Sequence, residues 1–302
     1  MPDNPHRIPS APFRPEWFAL TDHQIVELTG RDAVGFAQAQ FINDVAALDD
    51  GGWQWNGWLT PKGRLIALFA LLRIESERLW ILLSDMAADE LVEQLRRYVF
   101  RSKVRIGTRA DLHASGFPRA SLLASGGHWV GDPGISIELD FSGRLTPLAQ
   151  NTGRSLRISS ARGIASSAAL DWWATLDLIH GLPRLEASQR ALWTPQQLSL
   201  ERLRAYSLKK GCYPGQEIVA RTHFLGQAKR GLGLLRTNTP LQPGQELRDG
   251  ERVIGHIVAS RELYALAVLP LGDDLSLGVS HANADGTENR REIIKLAEGL
   301  ER

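Results

Sequence analysis

The stretch Lys209-Lys210-Gly211-Cys212-Tyr213-Pro214-Gly215-Gln216-Glu217 holds the single cysteine of a 302-residue chain. A thiol acts as nucleophile or metal ligand in its thiolate form, and neighbouring cations favour that form. Lys209 and Lys210 stand just before Cys212. If the Gly-Gln-Glu-Ile-Val-Ala-Arg run that follows opens a helix, its N-terminal dipole pulls in the same direction. Tyr213-Pro214-Gly215 forces a turn, which puts the cysteine at a bend rather than inside a helix. The plain alternative is a small buried hydrophobe beside solvated lysines. Glu217 and Arg221 are four apart, the spacing of an ion pair on one helix face. Glycines 211, 215 and 226 point to tight turns or a close backbone approach around the segment.

Composition narrows what this thiol can do. One cysteine excludes an internal disulfide framework and any all-cysteine metal or iron–sulfur site held by one chain, and it fits a reducing compartment. Lysine plus arginine number 35 against 34 acids, so no global field draws the chain to nucleic acid or to an anionic membrane. Direct nucleic-acid binding is therefore not expected, local basic patches aside. The longest apolar run, Leu65 to Leu72, is far short of the roughly 20 residues of a spanning helix. The start, Met1 to Pro15, is proline-rich without an apolar stretch, and reads as a frayed tail rather than a leader. A cytoplasmic protein is expected.

Several elements must position the segment. Residues 16–30 suggest two short strands around Thr21-Asp22. Thr29 three residues before Asp32 has the spacing of a capping box, and a helix over about 31–40 follows from Ala33, Phe36, Ala37 and Gln40. Trp53 and Trp55 alternate, and Pro61-Lys62-Gly63 breaks the next run into a hairpin of two long strands. Residues 78–85 give a third strand. Leu91, Leu95, Tyr98 and Val99 share one side of a helix, and a strand over 102–108 follows. Strands packed on a helix over about 52–145 suggest an α+β, ferredoxin-like unit. Ser166 or Ser167 caps a helix that Gly181 ends, and Thr194-Pro195 starts another short one. Beyond Lys229, short apolar strands between turns favour a small antiparallel barrel or sandwich.

Lys209 to Arg230, KKGCYPGQEIVARTHFLGQAKR, resembles the signature of the YgfZ family, which lies in the superfamily of the aminomethyltransferase (T-protein) of glycine cleavage. Residues 36–48, the hairpin TPKGRLIALFALLR and the passage LRRYVFRSKVRI resemble the family too. LIHGLPRL does so with Ile179 and His180 where Glu and Ala are common. The resemblance covers most of residues 20–230. It implies a three-domain, T-protein-like α+β fold around a central folate channel: a discontinuous α+β domain from 16–50 and 146–227, a ferredoxin-like domain over 51–145, and a β-barrel domain over 228–302, after a tail over 1–15. It also implies tetrahydrofolate or a one-carbon derivative as ligand. Trp173 falls on a folate-contacting tryptophan of the family, with a helix tryptophan filling the core as the plain alternative, and His23 falls on a second such position. Asn43 and Asp44 are read as facing the channel, with a turn after the helix as the plain alternative.

A folate aminomethyltransferase needs a carboxylate beside the nitrogen that receives the one-carbon unit. T-proteins carry an acidic pair after the two glycines of this hairpin, whereas Gly63 is followed by Arg64-Leu65-Ile66-Ala67-Leu68. Transferase activity is not expected on that ground. The resemblance implies instead an accessory factor in making or repairing iron–sulfur proteins, whose clients include radical enzymes that thiomethylate transfer RNA. In that reading Cys212 is the working thiol, Glu217 is part of the site, and Lys210 and Arg221 hold a folate tail or a client carboxylate. The protein is expected to act as a monomer and to hold no metal by one chain alone. Two alternatives stay open: a folate-dependent one-carbon transferase, and a non-catalytic folate-binding module with an inert Cys212.

Overall fold

A computed structural model describes residues 11–142, 153–224, 226, 228–249, 251–271, 281–282, 288–289, 291–294 and 296. Strand β1 (Phe18–Ala19) is followed by β2 (Gln24–Thr29), α1 (Ala33–Gln40), β3 (Trp53–Leu59), β4 (Leu65–Glu75), β5 (Arg78–Leu83), α2 (Ala88–Arg96) and β6 (Arg105–Thr108). From β2 onward these strands make one antiparallel sheet in the order β3-β4-β5-β2-β6. Helix α2 carries the chain from β5 to β6, leaving β2 between them, the split crossover expected of a ferredoxin-like unit.

The unbroken apolar run of β4 has a direct cause. Ala67, Phe69 and Leu71 join a core with Phe36, Leu91 and Leu95, residues of α1 and α2. Leu68, Ala70 and Leu72 face the opposite way, into a second core with Trp53, Trp55 and Trp173. Successive strand residues point to opposite faces, so burial on both demands hydrophobes at every position.

A second sheet has the order β1-β7-β10-β9-β8, from β7 (His113–Phe117), β8 (Val130–Asp132), β9 (Ser136–Asp140) and β10 (Ser155–Ser159). Strand pairing thus crosses both expected boundaries. The strand 24–29 pairs with 78–83, and 113–140 join 18–19 and 155–159. Within the expected tail, residues 1–10 lie outside the described residues, while Phe13 packs edge-on against Phe18 and Trp172.

Helix α3 (Ser167–Ile179) packs against β1 and against two strands of a third sheet, Arg252–Arg261 and Tyr264–Pro270. Ser166 accepts a hydrogen bond from the Ala169 N–H at its start, and Gly181 turns with a φ of +68° beyond its end, both as the sequence predicts. Two departures are instructive. The Thr29–Asp32 box does not form: Thr29 is spent in the ladder, and the Asp32 carboxylate accepts from the Lys103 N–H at 2.6 Å. No α-helix starts at Thr194; turns lead into a 3₁₀ helix over Leu200–Leu203.

After α4 (Gln216–Phe224), the third sheet uses β11 (Arg230–Thr237), β12 (Glu246–Asp249), β13 (Arg252–Arg261), β14 (Tyr264–Pro270) and β17 (Arg291–Ile294). A further pair, β15 (His281–Ala282) and β16 (Glu288–Asn289), stands apart from it. The order is β12-β13-β14-β11-β17, so among the described residues the expected barrel is an open sheet with β12 and β17 at its edges. No helix among the described residues is long and apolar enough to cross a membrane.

Candidate functional site

The structure separates the residues singled out above into two places. Lys210, Cys212, Glu217 and Arg221 lie in and just before α4, and Asn43 joins them through the loop after α1. Trp173 and His23 sit together in the core between the sheets.

Helix α4 begins at Gln216, so Cys212 precedes it by about one turn, at the bend expected from Tyr-Pro-Gly. Cys212 is exposed. Lys209 and Gly211 are exposed with it, whereas Lys210 and Tyr213 on either side are buried. Lys210 and Tyr213 are each only 6% exposed, and the Lys210 ammonium sits 4.9 Å from the Tyr213 ring centroid. Lys210 Nζ donates to the backbone oxygens of Gln38 (2.5 Å), Phe41 and Asn43 (3.1 Å). These carbonyls close the C-terminal end of α1, where a cation is favoured by the helix dipole. Burial lowers the Lys210 pKa to about 8, with Asp44 opposing. The three carbonyls use all three of its protons, so Lys210 is a bracket and not the free anion-binding cation the sequence suggests.

Asn43 works in the same bracket. Its Nδ2 donates to Trp55 O (2.9 Å) and to Arg204 O (2.7 Å), and its Oδ1 accepts from the Asp44 N–H (2.9 Å). Both amide protons are therefore committed within the protein. On the other side, Gln216 Nε2 donates to Lys210 O at 3.3 Å. Gly215 adopts φ +82°, and a Cβ there would come within 2.7 Å of Gly63 Cα and Thr60 O. Of the three glycines expected to permit close approach, Gly215 is the one that does so. It lets the cysteine segment lie against the turn of the β3–β4 hairpin. Glu217 and Arg221 are exposed, and no ion pair joins them.

Trp173 is fully buried. Arg154, also fully buried, lies 4.4 Å from its ring centroid, while Phe18, Phe141 and His23 crowd it at 6.0–6.4 Å. No face of this indole is left for a ligand ring to stack on. Trp53, Trp55 and Trp58 are core residues too. Sequence reasoning missed the charge network beneath them. Arg154 Nη1 meets Asp177 Oδ1 at 2.6 Å, and Arg184 meets Asp177 Oδ2 at 2.5 Å and also Asp22. Burial opposes ionisation of Asp177, yet Arg184 and Arg154 hold it below the ordinary carboxylate range. His180, buried beside this network, has both ring nitrogens without a partner among the described residues, and burial drives its pKa down to about 3. An aspartate inside the apolar run Leu176-Asp177-Leu178-Ile179 was the available signal.

Two cavities of about 360 Å³ flank this core. His23, bonded to Asp22 at 2.8 Å, lines one with His113 and Arg162. Asp22, Asp85 and Arg184 line the other, with Leu178, Leu185 and Arg261. Asp85 was not foreseen. Its Oδ1 accepts from Ser84 at 3.2 Å, its Oδ2 has no partner among the described residues, and burial raises its pKa to about 7. A buried carboxyl with an orphan oxygen beside a cavity can accept from a ligand donor or donate its own proton. Among the described residues no cluster of three or more metal-ligating side chains forms.

No protein-family model matches the chain. An uncharacterized protein of Haemophilus influenzae is 27% identical over 227 residues, 74% of each chain. Proteins called tRNA-modifying protein YgfZ, from Escherichia coli and Cronobacter sakazakii, are each 29% identical, over 86% of this chain and 86% and 85% of theirs. The aminomethyltransferase T of the glycine cleavage system from Bartonella henselae superposes with a TM-score of 0.70 over 96% of this chain and 89% of its own, at 14% identity. That likeness concerns the fold.

Proposed function

The chain belongs to the YgfZ family, within the aminomethyltransferase (T-protein) superfamily, and on that premise we propose that it is a tRNA-modification-related factor that supports iron–sulfur client enzymes through Cys212. One observation carries the reading: the lone thiol is exposed between two buried anchors, Lys210 and Tyr213. A side chain displayed this way is held for contact with another molecule, and with one cysteine the chain supplies at most one thiolate to a cluster whose remaining ligands come from the client. Glu217 and Arg221, exposed on α4 and without an ion pair among the described residues, are the charges available to orient that client.

Tetrahydrofolate is the proposed small ligand, and Asp85 supports it where Trp173 does not. The orphan Asp85 oxygen at the edge of a cavity suits the N–H donors of a pterin ring, with Asp22 and Arg184 beside it. When bound, the folate would supply a one-carbon carrier. The chain's own residues bind and orient it, and the run after Gly63 brings no acid to act on it.

The test replaces Cys212 by Ser and by Ala in a strain lacking the native protein, then measures thiomethylated tRNA bases and the activity of several cluster enzymes. Both variants are expected to behave like the deletion while folding as stably as the parent. Wild-type behaviour of both would assign Cys212 to structure and leave a folate-binding module.

A further inference from the structure

The thiol reading leaves one concentration of charge unused, where α2 ends. From Arg96 to Arg109 the chain carries Arg96, Arg97, Arg101, Lys103, Arg105 and Arg109 and no acid. Within it, Val99 to Ser102 form a turn closed by the Ser102 N–H donating to Val99 O at 2.8 Å. Phe100 takes the second position with φ +40° and is 88% exposed. Turns with positive φ at that position are served by Gly, Asn or Asp, and a bulky aromatic there is an outlier. Neither burial nor backbone conformation rewards phenylalanine at this site, and strain of this kind points to use.

The surroundings say what for. Arg101, Lys103 and Arg105 are exposed and have no ion pair among the described residues. Arg31, on the loop before α1, is held at the same place, because Asp32 exchanges backbone and side-chain hydrogen bonds with Lys103. Beside the turn opens a groove of about 1120 Å³, lined in part by Arg96, Val99 and Arg105. Of its acids, Glu27 is engaged by Arg109 and Glu75 by Arg78, leaving Glu77.

We infer that this turn is an RNA-docking surface, on which Phe100 stacks against an unpaired base and Arg101, Lys103 and Arg105 take phosphates. It stands independently of the role of Cys212. An exposed ring among cations is the pattern of a stacking platform on an electrostatic track. The core of a protein interface wants contiguous apolar area, whereas here Val99 packs on the core, Tyr98 lies edge-on to Trp58, and Arg101, Ser102 and Lys103 follow Phe100. Balanced net charge does not oppose this, since phosphate binding depends on the local field.

The experiment titrates the full chain into a fluorescent unmodified tRNA transcript at 50 and 200 mM salt, with poly-glutamate as the competing polyanion. Binding is expected to weaken with salt and to resist poly-glutamate. Phe100→Asn, which suits φ +40°, is expected to weaken binding about 5-fold or more while keeping or raising the thermal midpoint. Changing Arg101, Lys103 and Arg105 together to Gln is expected to lower the salt slope by about 2 to 3. No binding at 50 mM salt, or binding that both variants leave unchanged, would overturn the inference. Equal competition by poly-glutamate would also overturn it, and would give the surface to an acidic protein.

Discussion

Around Trp173 the chain buries charges against one another, whereas around Cys212 it buries one lysine and keeps the thiol outside. Both regions carry the resemblance, and both bury cations completely or nearly so. In the first, Arg154 pairs with Asp177 and lies against the indole, so no face of Trp173 is open. In the second, Lys210 satisfies backbone carbonyls of α1, which fixes the segment without covering it. The lesson is that residues carrying one family resemblance can serve the fold in one place and recognition in another, and exposure of the reactive atom separates the two.

That contrast can be attacked by substitution, from the largest effect down. Arg154→Met leaves Asp177 with one guanidinium instead of two in a buried site, and a loss of about 3–5 kcal/mol is expected in urea unfolding. Gly215→Ala forces a positive φ and a clash with the hairpin backbone, for an expected loss of about 2 kcal/mol or more by the same measurement. If Gly215→Ala costs nothing, the cysteine segment is not docked as described.

His180 gives a pH test of the closed region. Its pKa is about 3 folded against an ordinary 6.5, so its contribution is fully present above pH 6.5 and is lost as pH falls towards 3. His180→Leu is expected to flatten that acid limb, sparing about 2–3 kcal/mol between pH 6.5 and 4.5. A limb as steep as the parent's would mean that other groups produce it. Cys212→Ser should be the smallest change, within about 0.5 kcal/mol of the parent, because surface positions seldom matter to stability. A large loss there would move Cys212 into the same structural class as Trp173.

Much of the architecture was legible because periodicity reports burial. The run Leu65 to Leu72, the Ser166 cap and Gly181 gave β4 and α3 directly. Pairing was less legible, since nothing local says that 24–29 lies beside 78–83 or that 113–117 meets 155–159. The site was readable in its residue types and not in their directions. Lys209 and Lys210 look alike in sequence, but a long flexible side chain can turn outward or reach a helix end, and only Lys210 reaches one. Trp173 was read for stacking because indoles do stack; what occupies its face, Arg154, comes from a distant strand start. Asp85 was missed because an aspartate after a strand ordinarily marks a turn.

The second sheet has a consequence for how the chain is made. Its first strand, Phe18–Ala19, pairs with Gly116 and Ser115 and bridges in parallel to Ile164. On the ribosome that strand emerges well before Ser115 and Gly116 and must wait for Ile164 before its last partner exists. Meanwhile Phe18, fully buried at the end, has nowhere to go. Vectorial synthesis therefore leaves this apolar strand exposed until Ile164 has been made, and chaperone demand should track that interval rather than the stability of the finished protein.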